Sequence, residues 1–367
     1  MSSIPIANPD LGDEEIRRVA EIIDSGMVAD GPTVRQFESE FADYCDASHA
    51  VATSNGTTAL HAAFEALGIG PGDRVVTTPF SFVASANAIR LAGAEPVFAD
   101  IDPETYNLDP HAVARLLAEE GDTIDAILAV HLYGLPANVE PLAKLADTYD
   151  LQLVEDAAQA HGATYEGGRV GAFVDAACFS FYPTKNMTTG EGGMVVTNDE
   201  AVAAGAARYV NHGRGAAGGY EHREVGSNHR MTSIAAAIGR VQLERLPEWV
   251  EQRRQNARLL TDAVHDVDGV RPPVEPDRRR HAFHQYTLRC PDRDTLAAHL
   301  REYGVDSSVF YPSAIPDLEA YASVSANVPR ARAASEEVLS IPVHPGLTSV
   351  DRDRIVTAIR SADIEAN

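Results

Sequence analysis

Two lysines stand among the 30 basic residues of this chain, Lys144 and Lys185. Lys185 has the more telling setting. It follows a short apolar run, Cys178–Phe181, through Tyr182, Pro183 and Thr184, and precedes glycines at 190, 192 and 193. A second apolar run, Leu151–Glu155, leads straight into Asp156, with Gln159 three residues on. A third, His49–Thr53, breaks at Ser54-Asn55-Gly56-Thr57-Thr58 and opens an amphipathic segment that stops at Gly68. Each feature has an ordinary explanation: an Asp after a strand caps a helix, SNGTT is a turn, and a lone lysine sits on a surface. Together they supply an amine, a carboxylate and a strand-to-helix turn whose free amides and positive dipole end suit a phosphate.

Pyridoxal 5′-phosphate needs those three parts at once. Its phosphate must be anchored, a carboxylate must keep its pyridine nitrogen protonated so that the ring acts as an electron sink, and a lysine must form a Schiff base. Other motifs lead nowhere. Gly213-Arg-Gly-Ala-Ala-Gly218 matches the spelling of a dinucleotide fingerprint, yet its flanks, YVNH and GYEHREVGSN, are polar where a buried strand and a helix are required. There is no P-loop and no HExxH, and the 13 histidines show no ligand spacing. His229 and His284 read as ordinary hydrogen-bonded residues. Cys45, Cys178 and Cys290 give neither a disulfide framework nor a metal knuckle.

The elements that must hold these residues alternate. Val75–Thr78, Glu95–Asp100, Ala126–Val130, Leu151–Glu155 and Cys178–Phe181 read as strands buried on both faces, with helical patterns between them such as Thr57–Leu67. Ile16, Val19, Ala20 and Ile23 line one side of a helix over residues 13–24, ended near Gly26. The alternation predicts an α/β domain with a mostly parallel sheet, whose ligands bind beyond the carboxyl ends of the strands. After about residue 245 the rhythm changes. A long helix is expected from Leu246 to Val264, then a proline- and charge-rich connection, Val270–His281, then a smaller α+β unit closing on a helix from Ser349. The expected division is 1–245 and 246–367.

A length of 367 residues fits two domains. Fifty-four acidic residues against 30 basic ones give a net charge of −24, which opposes binding to nucleic acid or anionic lipid. No stretch is apolar enough to span a bilayer and the opening residues lack a signal peptide's regions, so a cytoplasmic protein is expected. Strong acidity with almost no lysine points to a salt-adapted (halophilic) host rather than merely an arginine-rich genome.

Over nearly its full length the chain resembles the DegT/DnrJ/StrS nucleotide-sugar aminotransferases, a branch of the fold-type-I pyridoxal-phosphate enzymes. The resemblance runs through SNGTTALHAAFEALGIGPGD, PFSFVASANAI, PVFADIDPETYNLD, VHLYG, VEDAAQAHGA, FSFYPTKNMTTGEGGMVVTND, NHGR and SNHRMTSIAAAIG. It implies that Lys185 carries the cofactor and then acts as base and acid of the proton shift. It implies that Asp156 pairs with the pyridine nitrogen, Gln159 with the phenolic oxygen, and that Phe82 stacks on the ring. Gly56, Thr57 and Ser180 would hold the phosphate, joined by Asn228 of a neighbouring subunit in a homodimer with shared sites.

The resemblance implies a ping-pong transfer from glutamate (or glutamine) to a ketone on a nucleotide-linked sugar. TTGEGGM at 188–194 leans towards a 4-keto-6-deoxy sugar; the alternatives are a 3-keto sugar, a keto-cyclitol, or a non-enzymatic sensor that keeps the cofactor. The lysine at 185, where related dehydratases have histidine, argues for amination. Two departures fall on the sugar side: His229 replaces the family's usual tyrosine, and Ser313–Tyr321 lacks the histidine usual after Tyr311-Pro312. Arg278–Arg280 and Arg214 are the cations expected to meet an anionic nucleotide.

Overall fold

A computed structural model describes residues 3–215 and 220–364. Two N-terminal helices, α1 (Asp13–Ser25) and α2 (Pro32–Tyr44), precede the alternating region. That region runs β1 (His49–Thr53), α3 (Gly56–Leu67), β2 (Arg74–Thr77), α4 (Ala84–Leu91), β3 (Glu95–Phe98), α5 (Pro110–Glu120), β4 (Ala126–Val130), α6 (Val139–Tyr149) and β5 (Gln152–Asp156). A small hairpin, β6 (Thr164–Tyr165) and β7 (Gly168–Arg169), leads to β8 (Ala176–Ser180), β9 (Gly193–Thr197) and α7 (Glu200–Tyr209). The strands expected from the apolar runs are present, with ends moved by at most a few residues, and α1 and α3 end at Gly26 and Gly68 as read.

Seven strands form one sheet in the order β1-β9-β8-β5-β4-β2-β3. Neighbours from β8 to β3 are parallel, and β9 alone runs against both of its partners. The carboxyl ends of β1, β5 and β8 therefore emerge on one edge. Register fixes which residues meet there: Thr53 and Ser180 both face Gly193, and Asp156 pairs with Cys178. Strands β4 and β9 are buried along their whole length, as a sheet covered on both faces requires. One apolar layer joins α3, α4 and α7 to the sheet; another joins α2 to the opposite face through Phe37, Phe41, Phe179 and Phe181.

The long helix differs from the expectation. It does not begin at Leu246 but at Ser233, where the Thr232 side chain caps Ala235 N–H, and α8 runs from there to Val264 (Ser233–Val264) with Pro247 inside it. Proline reads locally as a helix start because its missing N–H and fixed φ suit the first turn. Here burial of Ala236, Ala237, Val241 and Leu243 carries the helix through. Gly239 permits the approach: a Cβ there would lie 2.7 Å from the Phe37 ring and 2.8 Å from the Thr189 methyl. The expected division near residue 245 thus falls within α8.

Beyond it come β10 (Arg279–Arg280), which pairs with β6, then β11 (Tyr286–Arg289), α9 (Arg293–Glu302), α10 (Pro329–Glu337), β12 (Val338–Ile341) and α11 (Ser349–Arg360). Strands β11 and β12 form an antiparallel pair over a separate apolar cluster that includes Leu260, Val264, Leu288, Leu300, Ile341 and Ile355. Among the described residues no helix is long and apolar enough to cross a membrane, and no group of side chains is placed to hold a metal ion. Of the dinucleotide-like motif, Gly213–Gly215 form a turn and bridge rather than a helix start, and Gly218 lies outside the described residues.

Candidate active site

The first turn of α3 sits against the end of β8. Asn55 caps it, accepting from Thr58 N–H at 2.9 Å, and the Asn55 carbonyl takes Ala59 N–H. The amides of Gly56 and Thr57 are left without an intrahelical acceptor, as at any helix start. Gly56 is obligatory here for space: a Cβ would fall 2.7 Å from the Ser180 Cβ. The structure therefore brings Gly56, Thr57 and Ser180 into one small cradle. The Asn228–Arg230 segment docks beside it, His229 C=O accepting from Ser54 N–H at 2.7 Å and Arg230 bridging Thr53.

Asp156 ends β5 on the same edge and is buried. Its carboxylate is held by two donors, Ser85 Oγ–H at 2.6 Å and Ala158 N–H at 3.1 Å. Ser85 lies in the first turn of α4, and its own N–H donates to the Phe82 carbonyl at 3.2 Å, so Phe82 and the partner of Asp156 share one turn. Phe82 is 60% exposed, which removes a core role for this aromatic.

Lys185 is presented by a closed loop. Its N–H donates to Tyr182 C=O, and Thr188 Oγ and Thr189 N–H both return to Phe181 C=O. Next to it, Asn186 is anchored through Nδ2 to the carbonyls of His161 and Ala282, and through Oδ1 to His284. The two lysines of the chain now separate sharply. Lys144 is exposed and pairs with Glu140 at 2.6 Å, which raises it further. Lys185 has no ion pair or side-chain hydrogen bond among the described residues. Burial lowers it from 10.5 to about 8, and the nearby negative charge of Asp156 works in the opposite direction. The histidines behind it are neutral: desolvation, with the charge of Lys185 adding, pushes His161 down to about 3 and His284 well below its ordinary value.

Gln159 is pinned at both ends of its amide. Oε1 accepts from Tyr133 N–H at 2.6 Å, and Nε2 donates to Tyr311 Oη at 2.6 Å. Ser85, Tyr133 and Tyr311 carry no role in the sequence reading. VHLYG, PFSFVASANAI and Tyr311-Pro312 drew attention to their segments, but a hydrogen bond between residues 152 apart leaves no local signal. Asn228 is exposed, and no described contact joins it to Asp156, Gln159 or Lys185. Of the four expected cations, Arg278 pairs with Glu166 and Arg280 with Glu251, so two are already matched by acids. Arg214 instead lines a cleft with Arg208 and Arg230.

A model of the DegT/DnrJ/EryC1/StrS aminotransferase family matches residues 9–360. The chain belongs to this family. Among the similar curated proteins is a "Pleiotropic regulatory protein" of Geobacillus stearothermophilus, 42% identical over 94% of this chain and 93% of that one. A GDP-perosamine synthase of Caulobacter vibrioides is 39% identical over 98% and 99%, and a dTDP-3-amino-3,4,6-trideoxy-alpha-D-glucose transaminase of Streptomyces venezuelae 37% identical over 93% and 90%. The crystal structure of S. venezuelae DesV superposes with a TM-score of 0.94 at 36% identity, covering 98% of each chain.

The chain is thus a pyridoxal-phosphate-dependent aminotransferase of fold type I. Its own residues fit that cofactor: a cradle that a single Cβ would fill, a fixed carboxylate, and a desolvated amine with no competing partner among the described residues.

Proposed function

We propose that this family member moves an amino group from glutamate (or glutamine) to a keto carbon of a nucleotide-linked sugar, and that the sugar is a 4-keto-6-deoxy one. The carrying observation is Lys185, desolvated to about 8 and free of ion pairs among the described residues, beside a carboxylate that two donors hold still. Pyridoxal phosphate, when bound, supplies the electron sink for breaking and making the C–H bond next to nitrogen. Lys185 is the amine that would hold the cofactor and the base that would move a proton at the carbon next to the amino nitrogen. A pKa near working pH suits both halves of that task. Asp156 would accept the pyridine N–H, and the Ser85 hydroxyl and Ala158 N–H hold its carboxylate in place. Gly56, Thr57 and Ser180 take the phosphate at the start of α3, Phe82 covers the ring, and Gln159 donates to its phenolic oxygen.

Several finer features belong to the same reading. The exposed Asn228 and exposed Phe82 support a homodimer in which Asn228 of the second copy completes the phosphate site. Residues 246–367, the second half of α8 and the elements packed on the cluster around β11 and β12, form the smaller unit. The charge of −24 supports an enzyme of a salt-rich cytoplasm. The name of the Caulobacter relative speaks for a GDP-linked substrate and that of the Streptomyces one for amination at carbon 3, so the 4-keto assignment rests on the 188–194 segment. The regulatory name of the Geobacillus relative favours no sensor here, because a binder has no use for an unpaired amine beside a fixed carboxylate.

Visible absorption of the purified protein in high salt tests this. The cofactor band is expected to collapse on adding glutamate and to be absent as a covalent species in Lys185→Ala. Nucleotide-linked 4-keto-6-deoxy and 3-keto sugars are then offered to the aminated form, with product analysis. A protein that takes up no cofactor overturns the enzyme reading, and recovery of the band with the 3-keto sugar alone overturns the 4-keto assignment.

A further inference from the structure

Tyr311 reaches the site from far along the chain. It lies on the segment between Ser308, which bridges Ser340 on β12, and Ile315, whose N–H donates to Pro79 C=O beside α4. Its backbone has φ of +66°, and that of Tyr133 is +58°. Neither is a glycine, so both conformations carry strain that the surrounding contacts must hold. The two rings stack, with centroids 6.1 Å apart and planes 15° from parallel, and the Phe80 ring meets Tyr311 edge-on at 5.9 Å.

The chemistry of the donors decides how Gln159 is turned. A backbone N–H can only donate, so the amide atom facing Tyr133 N–H is the oxygen. The nitrogen then faces Tyr311, and it carries two hydrogens. One goes to the Tyr311 hydroxyl oxygen at 2.6 Å. One remains.

We propose that Tyr311 is a positioning residue that holds Gln159 so that a single N–H is presented to the phenolic oxygen of the cofactor, linking the segment before β12 to the acidity of the bound chromophore. The inference rests on the reading of Gln159 under the proposed function. Tyr311 touches no reacting atom; it acts through the amide. A donor aimed at the phenolic oxygen stabilises its deprotonated form, so a well-held Gln159 lowers the pKa at which the chromophore ionises. The charged group that acts on Tyr311 is Asp156 from β5, which in turn acts on Lys185 from the loop after β8. Tyr106, Tyr133 and Tyr311 all stay un-ionised because burial raises them, and His284 stays neutral.

The test is a pH titration of the visible absorption of the cofactor-loaded enzyme. Tyr311→Phe keeps the stacked ring and removes the hydroxyl; the chromophore pKa is expected to rise by about half to one unit. Gln159→Ala should raise it at least as far. The double variant should match Gln159→Ala alone, because Tyr311 has nothing left to act through. Tyr311→Leu, which removes the ring as well, should give the Tyr311→Phe value if the hydroxyl is the working part. An unmoved pKa in Tyr311→Phe, or shifts that add in the double variant, overturns the proposal while the enzyme reading stands. A wild-type protein with no cofactor chromophore overturns both.

Discussion

The contrast between the two lysines can be turned into a measurement on the protein without cofactor. At pH 7 an amine with a pKa of about 8 is about one-tenth neutral, while one held above 10.5, as Lys144 is by Glu140, is less than about one part in 3,000 neutral. Protonation alone favours Lys185 by about 300-fold. Its lower basicity also makes it a weaker nucleophile; on the slope known for thiols, a drop of some 2.5 units takes back about tenfold. A net preference of about 30-fold remains. Formaldehyde with a mild borohydride is small enough to reach a half-buried amine and needs no phosphate cradle, so it reads the amine by itself. Peptide mass spectrometry should find Lys185 methylated about 30 times faster than Lys144 at pH 7, with a rate that levels off above about pH 8. Asp156→Asn removes the charge that raises Lys185, so the levelling point should move below pH 8. Equal rates for the two lysines at pH 7, or a levelling point that stays put or climbs in Asp156→Asn, would falsify the desolvated-amine account of this site.

Gly56→Ala places a methyl group 2.7 Å from the Ser180 Cβ and fills the cradle. Equilibrium dialysis should show pyridoxal-phosphate affinity reduced by about tenfold or more; affinity within twofold of wild type would remove the cradle from the phosphate site. Stability should decline as pH falls. His161 and His281 are held down to about 3 and His284 well below its ordinary value, so below about 6.5 the unfolded chain binds more protons and unfolding is favoured. Glu38, raised by burial to about 7, keeps its proton in the folded state and works the other way between about 7 and 4.5, one group against three. Urea midpoints should therefore fall steadily from about pH 6.5 towards 3, and a flat profile would count against the buried neutral histidines.

The strands and the residues at their ends were legible because those signals are local. A buried parallel strand is a short apolar run, and the residues just past its carboxyl end are exposed to whatever ligand the sheet takes. On that basis Asp156, Ser180 and the SNGTT turn are expected on one edge, and the sheet register puts them there. The scarcity of lysine, a property of composition, marked Lys185. Composition could not contain the difference in environment between Lys185 and Lys144, since desolvation depends on which chain segments close over an amine.

The helix start at Ser233 lay equally out of reach. Pro247 costs a helix interior about 3 kcal/mol and signals a beginning when read by itself, and only packing of residues 236–243 against α1 and α2 outweighs it. The same holds for the partners of the site. Ser85 reaches Asp156 over 71 residues and Tyr311 reaches Gln159 over 152. Sequence periodicity decides which elements form and which residues stand at their ends. Only the folded chain decides which distant donors meet them there, because those contacts depend on how whole elements pack and not on the identity of near neighbours.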